Sequence, residues 1–188
     1  MSVSSSIQTT ERRALRRRRA RWGWRRRWGL GALALGAPFA SLPMDAALAQ
    51  NLPQGGNIVG GSGNVQQTSS TQITINQNSQ NLSIDWQSFS VGAGHIVRFN
   101  QPNSSALALN RVIGPDPSQI FGSIQANGRV VIMNPAGIYF GPSSMVDVNG
   151  LVATTARMNQ ADFLSGTLNF SLASGDPNAR VVNEGAIN

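Results

Sequence analysis

From Ile58 onward, short alternations of apolar and polar residues run along the chain, cut every few positions by Gly, Asn, Pro or Ser. The clearest are Gln72-Ile73-Thr74-Ile75-Asn76, Leu82-Ser83-Ile84-Asp85-Trp86 and Ile96-Val97-Arg98-Phe99, then Ala106-Leu107-Ala108-Leu109, Arg129-Val130-Val131-Ile132-Met133 and Met145-Val146-Asp147-Val148. A period of two is what a strand with one buried face requires. No window of helical length keeps a 3.6-residue period free of Gly and Pro, except Ala156–Leu164. There Ala161–Leu164 is either one helical turn or a loop. The pattern predicts an all-β body, with Ile73, Ile75, Leu82, Ile84, Trp86 and Phe89 as core or cap packing.

Two β architectures compete. A sandwich joins its strands by hairpins with tight turns, whereas a solenoid repeats a bend at a long, fixed interval so that each coil stacks on the last. Ala126-Asn127-Gly128 recurs as Val148-Asn149-Gly150, and Ser174-Gly175 follows Gly150 after a similar interval. Between the first two bends lie three short strands, 129–133, 138–140 and 145–148, which would form the three faces of one coil. The interval favours the solenoid. At about 20–25 residues a coil, the body would hold roughly six, with Asn127 and Asn149 one above the other as a stack satisfying backbone groups. Val182–Asn188 resembles the start of a further coil, which reads as a chain continuing in a longer protein.

Charge divides the chain. All fifteen basic residues are arginine, and ten lie between Arg12 and Arg27. Residues 1–49 carry +8 after Glu11 and Asp45 are counted, and residues 50–188 carry −1, which together give the net +7. The body offers five scattered arginines and no cluster, which excludes a nucleic-acid partner on charge grounds. Without cysteine there is no disulfide framework and no thiolate metal site.

The head reads as an address. Arg16–Arg19 and Arg25–Arg27 precede Trp28-Gly29-Leu30-Gly31-Ala32-Leu33-Ala34-Leu35-Gly36-Ala37, and Ala47-Leu48-Ala49 follows just before Gln50. A basic region, a short apolar region and an A-x-A site are the parts of a secretory signal. Pro38 and Pro43 break the apolar run at about half the length of a membrane span. The predicted division is 1–49 as a signal peptide with an extended Arg-rich n-region, cleaved between Ala49 and Gln50, and 50–188 as one β-helical domain. Arg12-Arg13 could serve twin-arginine export, but such a pair is expected by chance in so Arg-rich a stretch. Export of the unfolded chain by the Sec machinery is the preferred reading.

The run from Ala106 to Gly128 contains Leu109-Asn110-Arg111-Val112, Pro117-Ser118-Gln119-Ile120-Phe121-Gly122 and Ala126-Asn127-Gly128. It leads into Asn134-Pro135-Ala136-Gly137-Ile138 and ends at Val152-Ala153-Thr154-Thr155. In order and spacing this resembles the N-terminal secretion domain (TPS domain, or haemagglutination activity domain) of filamentous-haemagglutinin-type exoproteins in two-partner secretion of Gram-negative bacteria. The resemblance covers most of 50–165 and is strongest over 106–155. It implies a right-handed single-stranded parallel β-helix with an N-terminal cap, at the front of a large secreted or cell-surface adhesin-like protein. The implied partner is an outer-membrane barrel transporter whose periplasmic domains bind the segment before it folds. A host-surface receptor would be met by the region downstream. The resemblance assigns a secretion motif to Asn134, Pro135 and Gly137, extended to Asn110 and Arg111 on the L-N-R-V match. Ala136 departs from the family's usual Asn.

Other chemistry finds little support. Some parallel β-helices cleave acidic polysaccharides, which takes clustered carboxylates. The body's six acids are dispersed. Asp85, Asp116 and Asp147 are evenly spaced, but at a longer interval than Gly128 to Gly150, so they fall out of step with the coil. His95 is the sole histidine, beside no nucleophile motif, and reads as a turn residue. The reading is no enzyme, no cofactor and no metal. The alternative is a stand-alone extracellular binding module for adhesion or haem acquisition. Arg111 is expected to pair with a carboxylate, Asp116 being the nearest in sequence.

Overall fold

The computed structural model describes residues 52–171 and 177–188; Ala49 and Gln50, the Arg-rich head and the Ser174-Gly175 bend lie outside them. The alternating segments form β3 (Gln72–Gln77), β4 (Asn81–Trp86), β5 (Ile96–Asn100), β6 (Leu107–Val112), β7 (Ser118–Ile120), β8 (Ser123–Met133), β9 (Ile138–Phe140) and β10 (Met145–Thr154). These strands pair in parallel with the strand one coil later. On the first face β3 pairs with β5, β5 with the start of β8, and that with the start of β10. On the second, β4 pairs with β6, β6 with the end of β8, and that with the end of β10. On the third, β7 pairs with β9. Gln72, Ile96, Ser123 and Met145 lie in one register column, so each of the first three begins a coil that ends just before the next. The chain is a parallel β-solenoid, and 129–133, 138–140 and 145–148 fall on three different faces as their spacing predicts.

The solenoid has about three turns, not the six expected from length. Two segments leave the coil. Before the first turn, β1 (Asn57–Gly60) runs antiparallel to β4, β2 (Gly63–Ser69) runs antiparallel to β3, and Gln54 bridges Ser88. The first coil is therefore overlaid by a chain running in reverse, which pairs the backbone groups that a bare parallel edge would leave open. After β10, the chain makes β11 (Arg157–Met158), a five-residue helix α1 (Gln160–Leu164) and β12 (Phe170–Ser171) before rejoining. It rejoins as β13 (Val181–Asn183) beside β9 and β14 (Ala186–Ile187) beside β10. Ala161–Leu164 is thus helical, capped by the Asn159 side chain, which accepts from the Ala161 N–H at 2.8 Å.

Alternation fills the interior. Ile73, Ile75, Leu82, Ile84, Trp86 and Phe89 are all buried, joined by Val97, Phe99, Ile124, Val130 and Ile132 from later coils. Polar side chains finish the corners. Asn76 Nδ2 donates to Asn64 Oδ1 at 2.9 Å and Asn100 Nδ2 to Asn76 Oδ1 at 2.8 Å, an amide ladder rising through the cap and two coils. Asn127 and Asn149 do not continue it. A register shift between Val148 and Gly150 takes Asn149 out of line. Asn127 instead accepts from the Gln101 N–H at 2.7 Å and donates to the Gln101 carbonyl at 2.8 Å, while Asn149 Nδ2 donates to the Ser104 carbonyl at 2.9 Å. Both satisfy backbone, as expected, but that of the 101–106 loop, which makes the coil begun at Ile96 the longest. Ala126-Asn127-Gly128 is accordingly a corner within the continuous strand β8, where the chain passes from one face to the next.

Asn127→Ala removes both amide partners of Gln101, at a net of roughly 0.5–1.5 kcal/mol per hydrogen bond. The expected loss is about 1–3 kcal/mol, read as a lower urea midpoint with an unchanged slope. A midpoint equal to that of the parent chain would show that water replaces the corner amide without cost.

Candidate functional site

The motif turn sits at the corner between the second and third faces. Its main chain closes where the Gly137 N–H donates to the Asn134 carbonyl at 3.0 Å. Pro135 supplies a fixed φ inside the turn, and Gly137 adopts φ +118°, a region that only glycine enters freely. Asn134 is wholly buried. Its Oδ1 accepts from the Ala136 N–H at 2.9 Å, and its Nδ2 donates to the Asp116 carbonyl and to Ser118 Oγ, both at 3.0 Å. Its own N–H donates to the Thr154 carbonyl at 3.0 Å. One side chain thus makes the turn and ties it to the coil before, while the backbone ties it to the coil after. Position 136 enters this scheme through its N–H alone, so alanine serves as well as asparagine for the turn.

Asn110 and Arg111 are neighbours on β6 and face opposite ways. Asn110 points inward and is fully buried. It accepts from the Trp86 indole N–H at 3.1 Å and donates to the Val131 carbonyl at 3.2 Å, so a buried indole and a buried amide satisfy each other. Arg111 points outward and forms a two-pronged pair with Asp85, Nε to Oδ1 at 2.6 Å and Nη2 to Oδ2 at 2.7 Å. The partner is therefore Asp85 and not Asp116. Parallel register sets Asp85 directly beside Arg111 on the same side of the sheet, whereas Asp116 lies past the corner at Gly114-Pro115. The hydrogen bond to Asp85 raises the Arg111 pKa above its ordinary value; burial opposes the rise, and the Asp85 charge adds to it.

Arg111 and Pro135 line one cleft of about 440 Å³, with Ile113, Met133, Arg157 and Met158 completing most of its wall. Of the five expected site residues, the cleft brings these two together; Asn110, Asn134 and Gly137 belong to the framework behind it. Sequence reasoning missed Ile113, Met133, Arg157 and Met158. A clue was present in β6 and β8, where Leu107, Leu109, Val131 and Met133 make the outward phase apolar as well as the inward one, the mark of a sheet covered on both sides. His95 sits at a turn, its Nδ1 3.1 Å from the Ala93 carbonyl. Among the described residues no group of three or more His, Asp or Glu could hold a metal ion, and no helix is long and apolar enough to cross a membrane.

A parallel β-solenoid of this kind is the fold of a class of secretion domains. Residues 49–188 match the family model for the TPS secretion domain, and the chain belongs to that family. Over 150 residues, 80% of this chain, it is 37% identical to the heme/hemopexin-binding protein of Haemophilus influenzae. Against the protein of that name from strain Rd it is 41% identical over 125 residues, 66% of this chain. The match spans only 15% and 13% of those relatives' lengths. The crystal structure of the HMW1 secretion domain from Haemophilus influenzae superposes with a TM-score of 0.68 at 27% identity, covering 72% of this chain and 36% of that one. The family is one of secretion domains and not of enzymes.

Asn134→Ala leaves the Ala136 N–H, the Asp116 carbonyl and Ser118 Oγ each short of a partner, and the expected cost is about 2–4 kcal/mol. Arg111→Ala breaks a partly solvated pair and is expected to cost no more than about 1 kcal/mol. Urea denaturation of the two variants checks the order. A larger loss for Arg111→Ala would contradict the assignment of Asn134 as the structural member.

Proposed function

We propose that residues 50–188 address a larger exoprotein to a cognate outer-membrane barrel transporter and then fold as a solenoid on emergence. The observation that carries this reading is the family match over residues 49–188. In it, residues 1–49 direct Sec-dependent export of the unfolded chain and are cleaved between Ala49 and Gln50. The transporter's periplasmic domains hold the segment before it folds, by main-chain hydrogen bonding to an extended strand. The product is secreted through two-partner secretion, with display at the cell surface as the proposed end point.

The physics of the fold supports this use. Each coil contacts mainly its neighbours, so structure can propagate from a nucleus as the chain emerges. No nucleotide is needed for that step, and folding outside makes backsliding unfavourable. The five motif residues then divide by role. Asn134 and Gly137 act on secretion through the stability and timing of the corner and Asn110 through that of the interior beside Trp86, while Arg111 and Pro135 remain accessible to a partner. A second reading, in which the whole exoprotein takes up haem, is favoured by the names of the two relatives, whose own activity lies in proteins far longer than the matched share.

The test fuses a reporter to the C-terminus of the full chain and scores the medium with and without the matching transporter. Secretion is expected only with the transporter, and Asn134→Ala is expected to lower it several-fold without changing synthesis. Equal yields in both strains would remove the proposal.

A further inference from the structure

Where the second face ends, the chain leaves one strand after another and the corners stack. Residues 112–115 close β6 and turn away from it, and residues 133–136 do the same for β8. Beyond β10, Arg157 and Met158 complete the series as β11. Together these corners line the cleft of about 440 Å³, within the roughly 300–1,000 Å³ usual for small-molecule sites. The coil itself assembles the lining, since parallel register sets Met133 beside Arg111. The cleft is open as it stands: Ile113 is 54% exposed, Pro115 and Arg157 are exposed, and Pro135 and Ala136 are half-buried.

The lining has an apolar part and a cationic part. Ile113, Pro115, Met133, Pro135 and Met158 supply the first. Methionine adapts to apolar ligands of irregular shape, and an isoleucine so exposed gains from any apolar group laid against it. Arg111 and Arg157 supply the second, and no carboxylate lines the cleft. Asp85 engages Nε and Nη2 of Arg111, which fixes the guanidinium and leaves the donors of Nη1. Arg157 has no acidic partner among the described residues. The main chain offers little to a peptide. The Ile113 N–H is spent on the Trp86 carbonyl and the Ala136 N–H on Asn134 Oδ1, while Pro115 and Pro135 have none to give. A peptide laid here would bury carbonyls without partners.

We propose that this cleft is a binding site for a small aliphatic monocarboxylate, its charged end taken by Arg157 and Arg111 and its chain by Ile113, Met133 and Met158. Charge and surface select that class together. With Asp85 neutralising Arg111, the cleft is left with the single net charge of Arg157, which one carboxylate balances. A hydrated inorganic anion would gain the cation and leave the apolar walls in water. A neutral hydrocarbon would cover the walls and leave Arg157 unmatched. The site exists only where the corners have stacked, so its ligand is one met by the folded domain. It therefore goes beyond the secretion reading and does not depend on it.

The test titrates the full chain calorimetrically with hexanoate, octanoate and decanoate below their micelle concentrations. The Arg-rich head is common to every variant, so its attraction for anions cancels in each comparison. Saturable binding of decanoate is expected, weakening about two- to fourfold for each methylene removed. Decanol, the same chain without the charge, is expected to bind about tenfold more weakly, and Arg157→Gln to weaken decanoate by about tenfold. Arg98→Gln removes an equal charge from the first face and is expected to leave the affinity unchanged. Ala136→Trp fills the cleft while keeping the N–H that the turn uses, and is expected to abolish binding. Should its urea midpoint fall, Ile113→Asn, at an exposed position, replaces it with an expected weakening of several-fold. Absence of decanoate binding overturns the site. So does affinity independent of chain length, which would mark a mere anion site, or equal affinity for decanol. Equal effects of Arg98→Gln and Arg157→Gln overturn it as well, and none of these results touches the secretion reading.

Discussion

Main-chain pairing between a strand and the strand one coil later is the constraint on which the rest of this molecule depends. A parallel ladder cannot close with a hairpin, so each strand of 5 or 6 residues must wait for the chain to travel a full coil before its partner arrives. Everything between the strands serves that return. Corners have to bend the chain without stranding a backbone amide, and the side-chain amides of Asn127, Asn134 and Gln101 meet that need. The interior has to accept the same side-chain column at every level, which it does with Ile, Val, Leu and Phe from alternate positions.

The Asn-Pro turn shows how one short sequence can tie neighbouring coils together. Asn134 reaches the coil on one side with its side chain and the coil on the other with its N–H. Gly137 passes its carbonyl to the Ser118 N–H, and the next N–H, that of Ile138, meets the Arg180 carbonyl. A change at either residue is therefore felt by three coils at once. Such a change would alter when the domain completes as well as what it shows to a partner.

Much of this was legible in the sequence. Alternation located the strands and the interior residues Ile75, Leu82, Ile84 and Trp86, because a half-buried strand leaves a period of two whatever its partner. The three faces between residues 129 and 148 followed from strand spacing. The number of coils did not, because it was taken from length, whereas residues 57–69 run in reverse and the segment after β10 leaves the coil, and periodicity carries no sign of direction. Arg111 was assigned the wrong carboxylate for a related reason: Asp85 is remote in sequence and adjacent in register. The cleft was invisible for want of one inference, that Leu107 and Leu109 in phase with Arg111 require a cover on the outer side.

The reversed segment before the first coil gives the spiral a polarity. At that end the amides and carbonyls of β3 and β4 already hold strands of opposite sense, so no further parallel rung can be added. At the other end β10, β13 and β14 present edges in the sense of the coil. Assembly thus has one blunt terminus and one growing terminus, like a filament with a capped minus end. Elongation, whether by the same polypeptide or by a misplaced neighbour, can proceed in only one direction.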